Sequence, residues 1–149
     1  MNRNDDILDA RRSSLRPEDY LATTGSRLIN LIIDTIILYL LVVFLVIMMG
    51  AMLFNDDIMF TLFFYLVMVV YYTFFEALTG KTPAKWLTRT KVVTYFGQRP
   101  SFADILRRSL CRLIPFESLS YLGKQPVGWH DSIPKTYVVS DDYQPDEYL

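Results

Sequence analysis

Seven polar side chains carry whatever chemistry this chain can do. Arg27, Asn30 and Asp34 recur at spacings of three and four, which puts them on one face of a helix. That helix continues into residues 35–54, twenty positions without a charge. Glu76 closes a second uncharged run, Arg108 and Arg112 stand one turn apart in a later basic stretch, and Asp131 follows the only histidine, His130. An arginine, an amide and a carboxylate at the mouth of an apolar helix are costly in lipid and need partners. Two chemistries fit them. Asp34 and Glu76 can serve as an ion or proton site, since carboxylates at membrane depth are a feature of proton relays. Alternatively, Arg27, Arg107, Arg108 and Arg112 neutralise them in an ion-pair network that ties a surface helix to the spans. The second, structural reading is preferred, because Asp34 and Glu76 lie at the rim of their uncharged runs.

Other chemical signatures fail on spacing. Gly80-Lys81-Thr82 resembles the end of a phosphate-binding loop, but the required glycine five positions earlier is Phe75, inside an apolar run. His130, Cys111, Asp34 and Glu76 show no metal-ligand spacing, so His130-Asp131 reads as a hydrogen-bonded structural pair. No nucleophile–base set is evident. The expectation is therefore no catalytic residue, no metal and no cofactor.

The elements that must position these groups are two long apolar helices. Residues 35–54 make about 30 Å of helix and residues 58–75 about 27 Å, each close to the hydrocarbon thickness of a bilayer. The chain has 149 residues, 52% of them hydrophobic. That composition fits a small polytopic membrane protein. The polar break Asn55-Asp56-Asp57 makes the two runs a helical hairpin, with spans at about 28–54 and 58–78. Of 15 Lys and Arg, five lie at or before Arg27 and ten at or after Lys81. The positive-inside rule then puts both termini in the cytoplasm. No cleavable signal is expected ahead of the first span. The formal charge of −1 gives no field for nucleic acid.

Flanking segments follow from local signals. Residues 1–26 read as a solvated cytoplasmic segment with a short helix near Pro17. Residues 23–26 then break the chain, with Ser26 or Thr24 capping the first span. Residues 79–83 read as a helix stop and loop. Residues 91–95 and 136–139 are short strand candidates that pair with one another. Between them Ser101 and Asp104 form a capping box opening an amphipathic, basic helix at about 102–114. That helix is expected to lie flat in the headgroup layer, with its leucines in the acyl boundary. Residues 116–122 are apolar but too short to cross. Trp86 and Trp129 read as interfacial anchors. The tail from residue 140 is acidic and expected to be loose. The fold class is thus membrane all-α: a two-span transmembrane hairpin, a cytoplasmic amphipathic interfacial helix and a candidate two-stranded ribbon.

The order of these motifs resembles the RDD family of small membrane proteins, named for one arginine and two aspartates. By position these are Arg27, Asp34 and Asp131. Residues 76–85 resemble the family's linker after the second span, Arg108 and Arg112 its arginine-bearing helix, and 128–131 with 136–139 its late segment. The resemblance covers 27–139. It implies a membrane protein of largely undefined biochemistry, for which solute transport and ion–proton exchange have been suspected. Many members cross the membrane again after the arginine helix, whereas 116–122 here are too short.

Two functions follow as expectations. One is a non-catalytic accessory or adaptor subunit in a bacterial inner (plasma) membrane. Its partners would be the lipid bilayer, anionic lipid headgroups, and another membrane protein or further copies of itself, without nucleic acid. The other is an oligomeric transporter of an ion or small solute, proton-coupled through Asp34. On the structural reading, Asp131 binds Arg27, Arg108 or Arg112 and locks the cytoplasmic segment to the first span, while another arginine or Asn30 holds Asp34.

Overall fold

The computed structural model describes residues 16–50, 56–114 and 128–144. After a 3-10 turn at Pro17–Tyr20, helix α1 runs from Thr24–Met49 and α2 from Asp57–Thr79. A short helix α3 (Pro83–Leu87), strand β1 (Thr90–Thr94), helix α4 (Phe102–Cys111), helical turn α5 (Trp129–Ser132) and strand β2 (Thr136–Ser140) follow.

The most apolar stretches of α1 and α2 have mean hydropathy 3.0 and 2.1, and most of their surface faces outward. A core helix of a water-soluble protein would bury such a surface. Here Ile29, Ile36, Leu40, Phe44, Leu62 and Leu66 are exposed, as a bilayer requires. The line where α1 meets α2 is narrow: Leu38, Val42, Val67, Tyr71 and Tyr72 are its buried residues.

The ends of the spans differ from expectation in one respect. α1 begins at Thr24, and Thr24-Gly25-Ser26 form its first turn rather than a break. The cap is Thr23, whose Oγ1 accepts from the Ser26 amide at 3.2 Å. α1 stops at Met49, before Gly50 with φ 88°; residues 51–55, and with them the far end of the expected span and Asn55, lie outside the described residues. α2 matches its expected span to within a residue at each end. Asp56 caps it, and Gly80, left-handed at φ 72°, ends it by donating to the Glu76 carbonyl.

β1 and β2 form the expected antiparallel ribbon, with Thr90 opposite Ser140 and Thr94 opposite Thr136. Two flanking segments are more ordered than their polarity implies. The N-terminal segment is not a solvated tail at its end: Leu21 bridges Val139, and the buried Ala22 donates its amide to the Val138 carbonyl at 2.9 Å. Nor is the start of the acidic tail loose. Ser140 belongs to β2 and Tyr143 is buried against Val93 and Val139. Residues 1–15 and 145–149 lie outside the described set.

α4 opens with the capping box read from the sequence, Ser101 and Asp104 each accepting from the other's amide. Its last full turn ends at Cys111 rather than 114. Residues 116–122 lie outside the described residues. The loop expected after α2 contains a helix instead. Thr82 accepts from the Lys85 amide and Pro83 fills the first helical position, so α3 has the start signal of a helix despite its length.

Candidate functional site: a buried polar layer at one end of the hairpin

All seven polar residues read from the sequence are drawn to one end of the hairpin. Arg27, Asn30, Asp34, Glu76, Arg108 and Asp131 are buried, and Arg112 is nearly so, its side chain 13% exposed.

Asp131 and Glu76 are the two anionic hubs. Arg27 Nη1 donates to Asp131 Oδ2 at 2.5 Å, and Arg108 Nη1 binds Asp131 Oδ1. Arg27 uses its other nitrogens on the carbonyls of Ala22 and Val138, at 3.4 and 3.3 Å. One arginine thus fixes the first span to α5, to β2 and to the segment that precedes α1. Arg108 is the bridge between hubs. Its Nε donates to Glu76 Oε2 at 3.0 Å, and its Nη1 also reaches Thr136 Oγ1 at 2.5 Å. Glu76 holds two further cations: Lys85 Nζ at 2.5 Å and Arg112 Nη2 at 3.8 Å. Arg112 also stands over the Tyr72 ring, 4.1 Å from its centroid. The expected choice among arginines for Asp131 therefore resolves to Arg27 and Arg108 together, while Arg112 goes to Glu76. His130 sits 3.5 Å from Asp131 through Nε2, the pair read from the sequence.

Asp34 differs from the expectation. Among the described residues its hydrogen-bond donors are neither an arginine nor Asn30. Tyr71 Oη donates to its Oδ1 at 2.9 Å, Thr82 Oγ1 to its Oδ2 at 2.6 Å and the Ala84 amide to Oδ1 at 3.3 Å. Three neutral donors surround a buried acceptor, and the donors come from α2 and the start of α3. Asn30 meets Thr88 and Thr90 instead, accepting from one at 2.6 Å and donating to the other at 3.2 Å. The Arg27–Asn30–Asp34 stripe is thus read by three different neighbours along α1.

Charge sets the protonation of the groups outside the spans. Burial pushes the Asp131 carboxyl up, but His130, Arg108 and Arg27 beside it outweigh that and hold it well below the usual carboxylate range. Burial lowers Arg108, and the carboxylates of Asp131 and Glu76 more than restore it, so its charge is fixed. Lys85 is the exception. Burial lowers it, the attraction of Glu76 opposes this, and Arg108 and Arg112 lower it further, leaving it at about 8.

Tyr71, Thr82 and Lys85 are central to the layer and were not singled out by sequence reasoning. Tyr71 lies in an uncharged span, where its hydroxyl is one polar atom among apolar neighbours. Thr82 and Lys85 had a legible signal, a Thr-Pro helix start directly after a span end. Trp86 and Trp129 lie outside the layer, both about half exposed. Among the described residues, no three His, Cys, Asp or Glu side chains are grouped to hold a metal ion.

A sequence model of the RDD family matches residues 21–139, which includes every member of the polar layer. No curated protein and no solved structure matches the chain. With that match over most of its length and two exposed apolar helices of membrane-crossing length, the chain is a membrane protein and belongs to the RDD family.

Proposed function

We propose that this protein is a non-catalytic accessory or adaptor subunit of a membrane complex. The hairpin is its anchor, and the ribbon with α3 and α5 is a cap presented on the cytoplasmic side. One observation supports this reading above the rest: each carboxylate of the polar layer is matched by donors from the chain itself. Asp34 accepts three hydrogen bonds, Asp131 binds two arginines and Glu76 three cations. A layer satisfied in this way joins elements. The grooves beside the hairpin point the same way. The one lined by Leu41, Leu45, Val70, Tyr71 and Phe74 holds about 290 Å³ and is apolar throughout, which suits acyl chains or another helix.

On this reading both termini face the cytoplasm of a bacterial cell and the spans cross its inner membrane, in line with the distribution of basic residues. Basic residues such as Arg99 and Arg107 meet anionic headgroups, and the exposed apolar faces of α1 and α2 meet another membrane protein or a second copy.

The second reading, an oligomeric transporter coupled to protons through Asp34, has one observation in its favour. Arg108 Nη2 is buried and has no hydrogen-bond partner among the described residues. A surplus buried donor is where water or a passing anion would be held.

The mass of the complex extracted in a mild detergent separates the two. The adaptor reading expects a stoichiometric complex with a different membrane protein, and proteoliposomes of the isolated chain without pH-driven flux. A homo-oligomer with flux overturns it.

A further inference from the structure

α4 is built inside-out. Its buried face carries Ile105, Arg108, Ser109 and, a turn on, Arg112, whereas Phe102, Leu106 and Leu110 face outward, followed by Ile114. A basic helix resting on a surface places its arginines toward water. This one places them against α2.

The contacts fix its course. Arg99, just ahead of α4, donates to the Leu78 carbonyl at 2.7 Å. Arg108 meets Glu76, Thr73 Oγ1 donates to Ser109 Oγ at 2.9 Å, and Arg112 covers Tyr72. As α4 advances, its partners on α2 recede from Leu78 to Tyr72, so the two helices run antiparallel. Leu78 is itself exposed and apolar, as are Leu28, Ile29 and Ile32 on α1. These residues mark the start of the lipid-facing surface. Thr73 and Tyr72 stand roughly 8–9 Å further in, at ~1.5 Å per residue. Ser109 and Arg112 reach that depth with them.

We propose that α4 is immersed in the leaflet that holds the polar layer, with its Phe102–Leu106–Leu110 face in contact with acyl chains and its arginine face sealed against α2. The occupant follows from continuity: this face continues the exposed apolar surface of α2, Phe74 and Leu78, at the depth set by the part-buried Thr73–Ser109 hydrogen bond. Arg107 fits the placement. It is the exposed charge on α4, and it reaches back to Asp104, 3.5 Å away, toward the shallow end of the helix. Wrapped around α2 in this way, α4 shields Glu76 from lipid, its carboxylate buried beneath Arg108 and Arg112.

The inference rests on the hairpin crossing the bilayer, and on neither its orientation nor the adaptor role. Spin labels on single cysteines, in a Cys111→Ser background in nanodiscs, test it by collision with oxygen, which partitions into lipid, and with a nickel chelate, which stays in water. Labels at Leu106 and Leu110 are expected to favour oxygen, as a label at Val43 in mid-span does, while a label at Asp142 favours nickel. Nickel-dominated relaxation at Leu110 with a normal Val43 overturns the immersion alone. Low accessibility to both reagents at Leu110 means that protein covers the face, a second copy included, and overturns it equally. Nickel access at Val43 overturns the hairpin with it. Leu110→Trp in the otherwise unaltered chain gives a check that leaves Cys111 in place. Its emission should be quenched by lipids brominated along the acyl chain more than that of the parent protein, and equal quenching contradicts the immersion.

Discussion

The two halves of the hairpin are held by different forces. In the half that carries the cap, α1 and α2 barely need each other's apolar surface. Arg27, Asn30 and Asp34 reach partners on six other segments (the stretch before α1, α2, α3, β1, α5 and β2), and Glu76 is gripped by α3 and α4. In the far half, from Leu38 onward, contact is reduced to a thin seam around Leu38, Val42 and Val67. Lipid tails are as apolar as leucine, so this seam gains nothing from exclusion of water and is held by close packing alone. The same chain therefore has one end with a unique, directional lock and one end whose partner is interchangeable. A helix of another subunit, or lipid, can replace contacts in the far half at little cost. In the polar half a lost partner strands a buried charge.

That contrast is broken most severely at Arg108. Arg108→Met removes a side chain that binds both anionic hubs. Breaking a buried pair costs about 3–5 kcal/mol, and here two carboxylates lose a partner at once. The expected result is loss of the monodisperse protein peak in detergent chromatography, and recovery of a wild-type melting temperature would refute the bridging role.

Asp131→Asn comes next, because it leaves Arg27 and Arg108 facing an amide that offsets neither charge. Its effect carries a pH signature. The folded state holds Asp131 below its ordinary value, so the stability it contributes is complete above about pH 4 and is lost as pH falls through and below that point. Melting temperatures measured from neutral pH downward should show an acid-dependent drop in the parent protein that is smaller in Asp131→Asn. Parallel curves would mean that Asp131 is not ionised in the native layer.

Lys85→Met should be milder. Glu76 keeps Arg108 and Arg112, and the substitution removes a buried cation whose proton is already loosely held. With a folded value of about 8, below the ordinary lysine value of about 10.4, the unfolded chain binds that proton more tightly than the native one between the two. Lys85 thus makes native stability rise as pH increases from about 8 to 10. Lys85→Met should remove that rise, and an unchanged alkaline slope would contradict the burial of the charge.

The smallest effect belongs to the far half. Leu38→Ala in a soluble core would cost about 2–5 kcal/mol. In lipid the unpacked leucine has no water to avoid, so the expected cost is below about 2 kcal/mol. Melting in nanodiscs reads it, and a loss as large as that of Asp131→Asn would erase the difference between the halves.

These differences also explain what the sequence could reveal. The hairpin is legible because twenty uncharged residues admit few other fates, and the ribbon because residues 91–94 and 136–139 are short β-branched runs of matching length. Asp131 pairing with arginine follows from charge, since a buried carboxylate seeks a cation. Asp34 defeated the same rule. Its neutral donors, the Tyr71 hydroxyl, the Thr82 hydroxyl and the Ala84 amide, leave no charge pattern to read, and two of them are brought to it by a five-residue helix folding back beside α1. Tyr143 was hidden for a similar reason: an aromatic within an acidic stretch gives no periodic signal, yet Tyr20, Val93 and Val139 bury it. The placement of α4 is half legible: Arg108 and Arg112 read as partners of the span carboxylates and meet Glu76, whereas Arg107, expected with them, pairs with Asp104 instead.

The lock requires Asp34 to be a fixed acceptor. Asp34→Asn tests this directly, through the melting temperature of the purified protein and pH-driven proton flux in proteoliposomes measured on the same preparation. The amide keeps the shape but points a donor at a site already supplied by three donors, and a buried group left unmatched costs about 1–3 kcal/mol. The expected result is a lowered melting temperature, with flux through the parent protein and the variant alike no greater than through empty vesicles. A variant that melts like the parent and has lost a flux the parent shows would contradict the lock and make Asp34 the proton carrier.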